Sequence, residues 1–239
     1  MGTRANPAFA VGAIAVPVAL LLYALTLGTL TQHTYVHVMA GVLWTGIDLF
    51  LAIVLGPVLG GLTVQERASV FERLTPKTAF LLPSLALVTI AGGITLALRG
   101  PWAFPHAHAW LALTTAATLL PALALIGWQF DALRDWRWLT AFGIALVGSG
   151  AYLAVALPDF GMTRPIFVAI LGIVTVLSVV GFGVLMPGEV RMYLEMRSPN
   201  PDAELIGAIG MRNARLSAIQ GLFQLAIIAA MVYLRWGGF

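Results

Sequence analysis

The sequence predicts an all-α, polytopic membrane protein, a helical bundle of about seven transmembrane helices that forms a single integral membrane domain over residues 1–239. The chain is 60% hydrophobic and 10% charged, whereas soluble domains carry about 25% charged residues. Several apolar runs also reach the roughly 20 residues that cross about 30 Å of hydrocarbon. The expected environment is therefore a lipid bilayer.

The apolar runs place the spans in order. They are predicted at about 9–30, 34–59, 78–98, 108–128, 139–157, 166–186 and 216–234. A brief turn at Thr31–His33 is expected between the first two spans, and a charged loop at 63–77 before the third. The prolines of the 99–105 connection argue against helix until Pro105. Within the long polar stretch after the sixth span, Asp202 is predicted to be the N-cap of an amphipathic helix that continues into the last span.

The basic residues predict the orientation, since loops rich in Lys and Arg stay in the cytoplasm. With seven spans, one side carries ten basic residues, namely Arg4, Arg67, Arg73, Lys77, Arg134, Arg137, Arg191, Arg197, Arg212 and Arg215. The other side carries three, namely Arg99, Arg164 and Arg235. The amino terminus is thus expected in the cytoplasm and the carboxyl terminus outside, in the cytoplasmic membrane of a prokaryote.

The absence of cysteine limits the chemistry. With Cys 0, disulfides, thiolate metal sites, iron–sulfur clusters and covalently attached c-type heme are excluded. The net charge of +3 reflects the loops, and no nucleic-acid partner is expected.

The second span carries the residues that membrane helices avoid. On an α-helix His33, His37, Trp44 and Asp48 fall close to one face. Ionisable groups inside a bilayer usually face a bundle interior, a cavity or a cofactor. His37 is predicted to lie deeper than His33, which is expected in the headgroup layer. Asp48 is either a proton or cation relay or a hydrogen-bonded carboxyl that joins helices.

The predicted topology puts all four histidines at the outer membrane surface. His106 and His108 precede or open the fourth span, as the other two open the second. One of them is expected to ligate a metal or heme together with His37, and which one stays open. His33, Trp44 and Gly41 are further candidates for the cofactor pocket.

The pattern His37–x6–Trp44–x–Gly46, continuing to Phe50 and Pro57, resembles the opening helix motif of three bacterial membrane families. These are the copper-resistance CopD-type proteins, the HemJ-type protoporphyrinogen oxidases and the membrane domain of the cytochrome-linked urate oxidases. The resemblance covers at most residues 30 to 100. It implies heme ligation by the histidine in two of the families and copper uptake or tolerance in the third. The Tyr-Leu-Pro-Arg run of HemJ-type proteins is absent.

The sequence therefore predicts a heme b protein that carries electrons within the membrane, as a subunit of a respiratory complex with a membrane or extracytoplasmic redox partner protein. The first alternative is a CopD-type copper uptake or tolerance protein, since imidazole also suits copper. The second is a structural membrane subunit. Whether the protein is an enzyme stays open.

A topology measurement tests the predicted orientation. A reporter fused after Phe239 should be extracytoplasmic, and one inserted near Pro199 should be cytoplasmic, because of the ten-to-three asymmetry of basic residues. Alkaline phosphatase and fluorescent-protein fusions at both positions would report the two sides. The opposite pattern would reverse the membrane side assigned to the histidines.

Overall fold

Long apolar helices make up the computed structural model of this protein, which describes residues 6–99, 106–162 and 164–236. Within these ranges seven helices are long and apolar enough to cross a membrane, as predicted. Their bounds are Pro7–Thr26, Leu30–Gly60, Val64–Arg99, Ala107–Gln129, Trp136–Asp159, Ile166–Glu195 and Ala203–Trp236. Arg4 and the 100–105 connection lie outside the described residues.

The α-helical elements are α1 (Pro7–Thr26), α2 (Leu30–Leu49), α3 (Gly56–Gly60), α4 (Val64–Arg99), α5 (Ala107–Gln129), α6 (Trp136–Ala156), α7 (Ile166–Val180), α8 (Met186–Glu195) and α9 (Ala203–Trp236). Two π-helical segments, Phe50–Leu55 and Gly181–Leu185, join α2 to α3 and α7 to α8. Each segment ends two residues before a proline, Pro57 or Pro187. Proline has no N–H and clashes with the carbonyl four residues earlier, and a wider π turn accommodates that defect.

Two helix starts differ from the sequence prediction, and both are explained by capping boxes. The expected turn at Thr31–His33 is helical, because Gln32 N bonds to Thr29 Oγ1 and Thr29 N bonds to Gln32 Oε1. The expected loop at 63–77 is also helical, because Thr63 and Glu66 make the same reciprocal contacts. α4 is therefore 36 residues long.

The predicted N-cap at Asp202 is confirmed. Its Oδ1 accepts hydrogen bonds from the backbone N–H groups of Glu204 and Leu205, at 2.8 and 3.1 Å. These bonds satisfy donors that the first turn of a helix otherwise leaves unpaired. From this cap α9 runs to Trp236 without interruption, so the amphipathic segment and the last span form one helix.

The described chain forms two compact units. The first contains residues 6–99 and 188–221, in which α1, α2 and α4 pack against one another. A buried apolar cluster lies at the α3, α8 and α9 end of this unit: Leu59, Ala68, Phe71, Met192, Met196, Ile206 and Ile209. Single-domain organisation stays a prediction.

The second unit contains the described residues of 106–187 and 222–236. Here α5 packs against α6 and α7. Ala109, Ala112 and Ala156 form its small buried cluster, and the Trp110 ring lies 5.1 Å from the Phe160 ring, centroid to centroid. Small side chains on α5 let the neighbouring helices approach closely, as is usual in membrane bundles.

A glycine on α9 tests the packing of the first unit. A Cβ at Gly210 would overlap the buried ring of Phe71, whereas a Cβ at Gly12 meets nothing within 4 Å. Both positions lie inside helices, so alanine raises helix propensity at each. Gly210→Ala should lower stability by about 1–3 kcal/mol through overpacking, and Gly12→Ala should not. Thermal unfolding in detergent measures both, and equal stabilities would contradict this packing.

Candidate functional site

The inward face of α2 carries two polar groups of residues. His33, Trp44 and Asp48 are buried, and His37 is partly buried. His33 and Asp48 are about 22 Å apart along the helix at its ordinary rise. The histidines face the later part of α4, whereas Asp48 lies near a second polar group formed by α4, α8 and α9.

His37 is held by the backbone of α4. Its Nδ1 lies 2.7 Å from the carbonyl oxygen of Thr89, and since a carbonyl only accepts, Nδ1 carries the proton and donates. The lone pair is then on Nε2, which makes no hydrogen bond within the described residues. Gly92 and Gly93 lie against the ring, where an added Cβ would come within 3.2 Å of His37 Cβ and 2.9 Å of His37 Cε1, respectively. The imidazole is thus fixed in one tautomer and orientation.

His33 is completely buried within the protein, and its expected place in the headgroup layer stays a prediction. Its Nε2 lies 3.0 Å from Thr95 Oγ1. The same hydroxyl lies within hydrogen-bond distance of the Ala91 carbonyl, at 2.7 Å. No described residue bonds to His33 Nδ1. A buried ring nitrogen without a partner suits a water molecule or a metal ion.

Gly41 and Trp44 have simpler surroundings. A Cβ at Gly41 would lie 3.3 Å from Thr89 Cγ2, so glycine lets α2 approach α4 closely at the level of His37. Trp44 is buried between the histidines and Asp48. Both residues line the same face as the histidines, and their role beside a cofactor stays a prediction.

Asp48 belongs to a polar cluster that we define as Asp48, Thr78, Glu189 and Asn213. Thr78 Oγ1 donates to Glu189 Oε2 at 2.9 Å, and the Asn213 side chain also hydrogen-bonds to Glu189. Asp48 is close enough for its charge to act on Glu189. Asp48, Thr78 and Asn213 are buried. The cluster thus brings two carboxyl groups together inside the first unit.

Glu189 belongs to the candidate span Ile166–Glu195. It is partly buried and paired as described above. In the sequence, Thr78 and Asn213 are polar residues within apolar surroundings, which indicates that each has a polar partner. Residue type alone does not identify that partner as Glu189. Arg212 approaches the same cluster, where its Nη2 donates to Asn213 Oδ1 at 3.4 Å.

His106 and His108 lie in the second unit, and both are exposed. His106 precedes α5 with φ 63 in the left-handed region, and its ring packs against Gly161. His108 lies on the first turn of α5, and its Nδ1 is 3.3 Å from the Tyr152 hydroxyl. Pairing of either residue with His37 stays a prediction.

Metal and family comparisons add no assignment. Within the described residues, no group of three or more His, Cys, Asp or Glu side chains is arranged to hold a metal ion. Comparison with protein-family models, curated proteins and solved structures found no match to this chain. The function is therefore argued from the side chains alone.

The Asp48 cluster makes a testable prediction. Asp48→Asn should leave stability nearly unchanged, because an amide can keep the hydrogen bonding, whereas Asp48→Leu should cost about 1–3 kcal/mol by leaving buried polar partners unsatisfied. The exposed Asp159 is the control, since its leucine variant should be neutral. Thermal unfolding in detergent measures all three variants. Equal tolerance of both Asp48 changes would remove this carboxylate from the buried network.

Proposed function

We propose that this protein is an integral membrane heme b protein that carries electrons within a prokaryotic cytoplasmic membrane, in which His37 would hold the heme iron. One observation carries the proposal: the bond from His37 Nδ1–H to the Thr89 carbonyl, 2.7 Å long. Histidines that ligate metals almost always donate their other ring N–H to a carbonyl or carboxylate, which fixes the tautomer and raises ligand basicity.

The residues around His37 fit a heme ligand. The acceptor nitrogen Nε2 has no hydrogen-bond partner within the described residues, and glycines lie against the ring on α4. A bound heme b would supply one-electron redox chemistry through its iron, with potential set by ligand identity and burial. The chain itself holds the imidazole, excludes water with apolar helices and orients the ring through the Thr89 carbonyl.

For the second ligand we propose His108. His108 Nδ1 contacts the Tyr152 hydroxyl, which leaves Nε2 as the ring nitrogen that would ligate. The hydrogen bond of His37 likewise leaves its Nε2. His106 instead packs its ring against Gly161. The predicted topology puts the starts of both the second and the fourth span at the outer surface.

In this proposal Asp48 is a proton relay, supported by its burial beside Glu189 on the same α2 face as the histidines. Chains of carboxyl groups inside membrane helices form the proton relays of pumps and transporters. The proposal further includes a membrane or extracytoplasmic redox partner protein.

Copper uptake or tolerance is the second candidate. It is favoured by His33 Nδ1, a buried ring nitrogen to which no described residue bonds, one helical turn from the His37 Nε2 acceptor. Imidazole nitrogen suits copper. The same α2 face would then present two ligand atoms to one ion.

Absorption spectroscopy tests the heme proposal. The protein purified after expression with ample heme should show a Soret band of low-spin, bis-imidazole b-type heme in the outer half of the bilayer. His37→Ala should lose the heme or convert it to high spin, because an axial nitrogen is removed. His108→Ala should reproduce this defect.

Two substitutions are matched controls. His106→Ala and His33→Ala should keep the low-spin spectrum, since these rings are assigned no ligand role. A heme-free protein that contains copper by metal analysis would favour the second candidate. A Soret band that survives all four alanine substitutions would overturn the assignment of the histidine ligands. A protein with neither cofactor would overturn both candidates and support a structural subunit.

A further inference from the structure

An open pocket of about 450 Å³ lies on the second unit where α7 begins and α9 ends. Its lining consists of Arg164, Pro165, Ile166, Ala169 and Tyr233. The volume is in the range of small-molecule sites, roughly 300–1,000 Å³. The pocket lies where the candidate span Ile166–Glu195 begins and the candidate span Ala203–Trp236 ends. Because spans end where the hydrocarbon ends, we expect the pocket at the boundary between hydrocarbon and headgroups.

Arg164 is the charged group of this pocket. Its guanidinium carbon lies 5.4 Å from the centroid of the Tyr233 ring, a cation–π contact that orients the side chain. Within the described residues, the Arg164 guanidinium has no carboxylate partner and makes no hydrogen bond. Its planar N–H donors are therefore available, and they match the oxygens of a phosphate.

The contrast with Arg99 supports this interpretation. Arg99, predicted on the same membrane side, uses its guanidinium to donate to the carbonyls of Ala24 and Leu25 at 3.1 and 3.2 Å. These carbonyls belong to the last turn of α1 and have no partner within that helix. The donors of Arg99 are therefore used inside the first unit. Arg164 has no such internal acceptor among the described residues.

The rest of the lining is apolar. Pro165, Ile166 and Ala169 form the wall on α7, and the neighbouring Val168 is 48% exposed. A free anion gains nothing from such a wall, whereas a phospholipid places its phosphate on the cation and its glycerol and acyl chains on the apolar surface. Tyrosine is typical of this interfacial depth.

We propose that this pocket binds the phosphate of an anionic phospholipid, held by Arg164 and the Tyr233 hydroxyl, with the acyl chains along the start of α7. The site is independent of the heme proposal. It lies in the leaflet at the carboxyl-terminal end of α9, which is the outer leaflet in the predicted orientation.

Lipid retention and thermal stability in nanodiscs test the site. The full-length protein is reconstituted in phosphatidylcholine alone or in about three parts phosphatidylcholine to one part phosphatidylglycerol. Phosphatidylglycerol should raise the Tm and remain bound in native mass spectrometry. Arg164→Gln should weaken retention by about tenfold through loss of charge-assisted hydrogen bonds, and Tyr233→Phe should weaken it less.

Arg137→Gln is the matched control. Arg137 also lies over an aromatic ring, 5.7 Å from the centroid of Trp136, but it is not part of this pocket, so its variant should retain lipid like the wild type.

Unchanged retention in Arg164→Gln would overturn the proposal. So would equal stabilisation by inorganic phosphate in phosphatidylcholine nanodiscs, which would indicate a free-anion site. If Arg164→Gln does not fold, Arg164→Met replaces it, since it also removes the charge, and retention equal to that of Arg137→Gln would overturn the proposal.

Discussion

The packing of α2 against α4 depends on the cost of leaving polar groups unpaired in a nonpolar environment. Water is not available in the bilayer core, so each imidazole or hydroxyl must find an acceptor or donor within the protein. On α4 these partners are Thr89 for His37 and Thr95 for His33. Glycines at Gly92 and Gly93 leave the space that the His37 ring needs. Hydrogen bonding and close approach thus select the same register between the two helices.

The threonines of α4 also stabilise their own helix. Thr89 donates to the Leu85 carbonyl at 2.7 Å and Thr95 to the Ala91 carbonyl at 2.7 Å. Such bonds to the preceding turn are usual for threonine in membrane helices. The Thr89 carbonyl also determines the tautomer of His37, because a carbonyl only accepts. The two histidines leave different ring nitrogens without a partner among the described residues, Nδ1 in His33 and Nε2 in His37.

The polar cluster around Glu189 is associated with departures from regular α-helix. Asp48 lies two residues before the π-helical segment Phe50–Leu55, and Glu189 follows the segment Gly181–Leu185. Prolines after both segments remove a backbone donor, and π turns of this kind often occur at functional sites. Along α2, His37 and Asp48 are about 16 Å apart. An electron carrier at His37 and a proton-exchanging carboxyl at Asp48 would therefore occupy separate depths of the first unit.

The sequence by itself determined the features that depend on local periodicity and composition. Apolar run length predicted seven spanning helices, 3.6-residue periodicity put His33, Trp44 and Asp48 on one buried face, and the Asp202 cap followed from residue type. The capping boxes at Thr29 and Thr63 were also present as local patterns, although the turn and loop predictions missed them.

Only the tertiary structure decided which polar groups meet. Glu189 bonds to Thr78 across 111 residues of chain, and His33 is buried because Thr95 lies opposite it across 62 residues. Helical periodicity indicates the direction in which a side chain points, but not the residue on the neighbouring helix that it contacts. That residue is set by the register and close approach of α2, α4, α8 and α9, which depend on glycine contacts and on buried hydrogen bonds between distant positions.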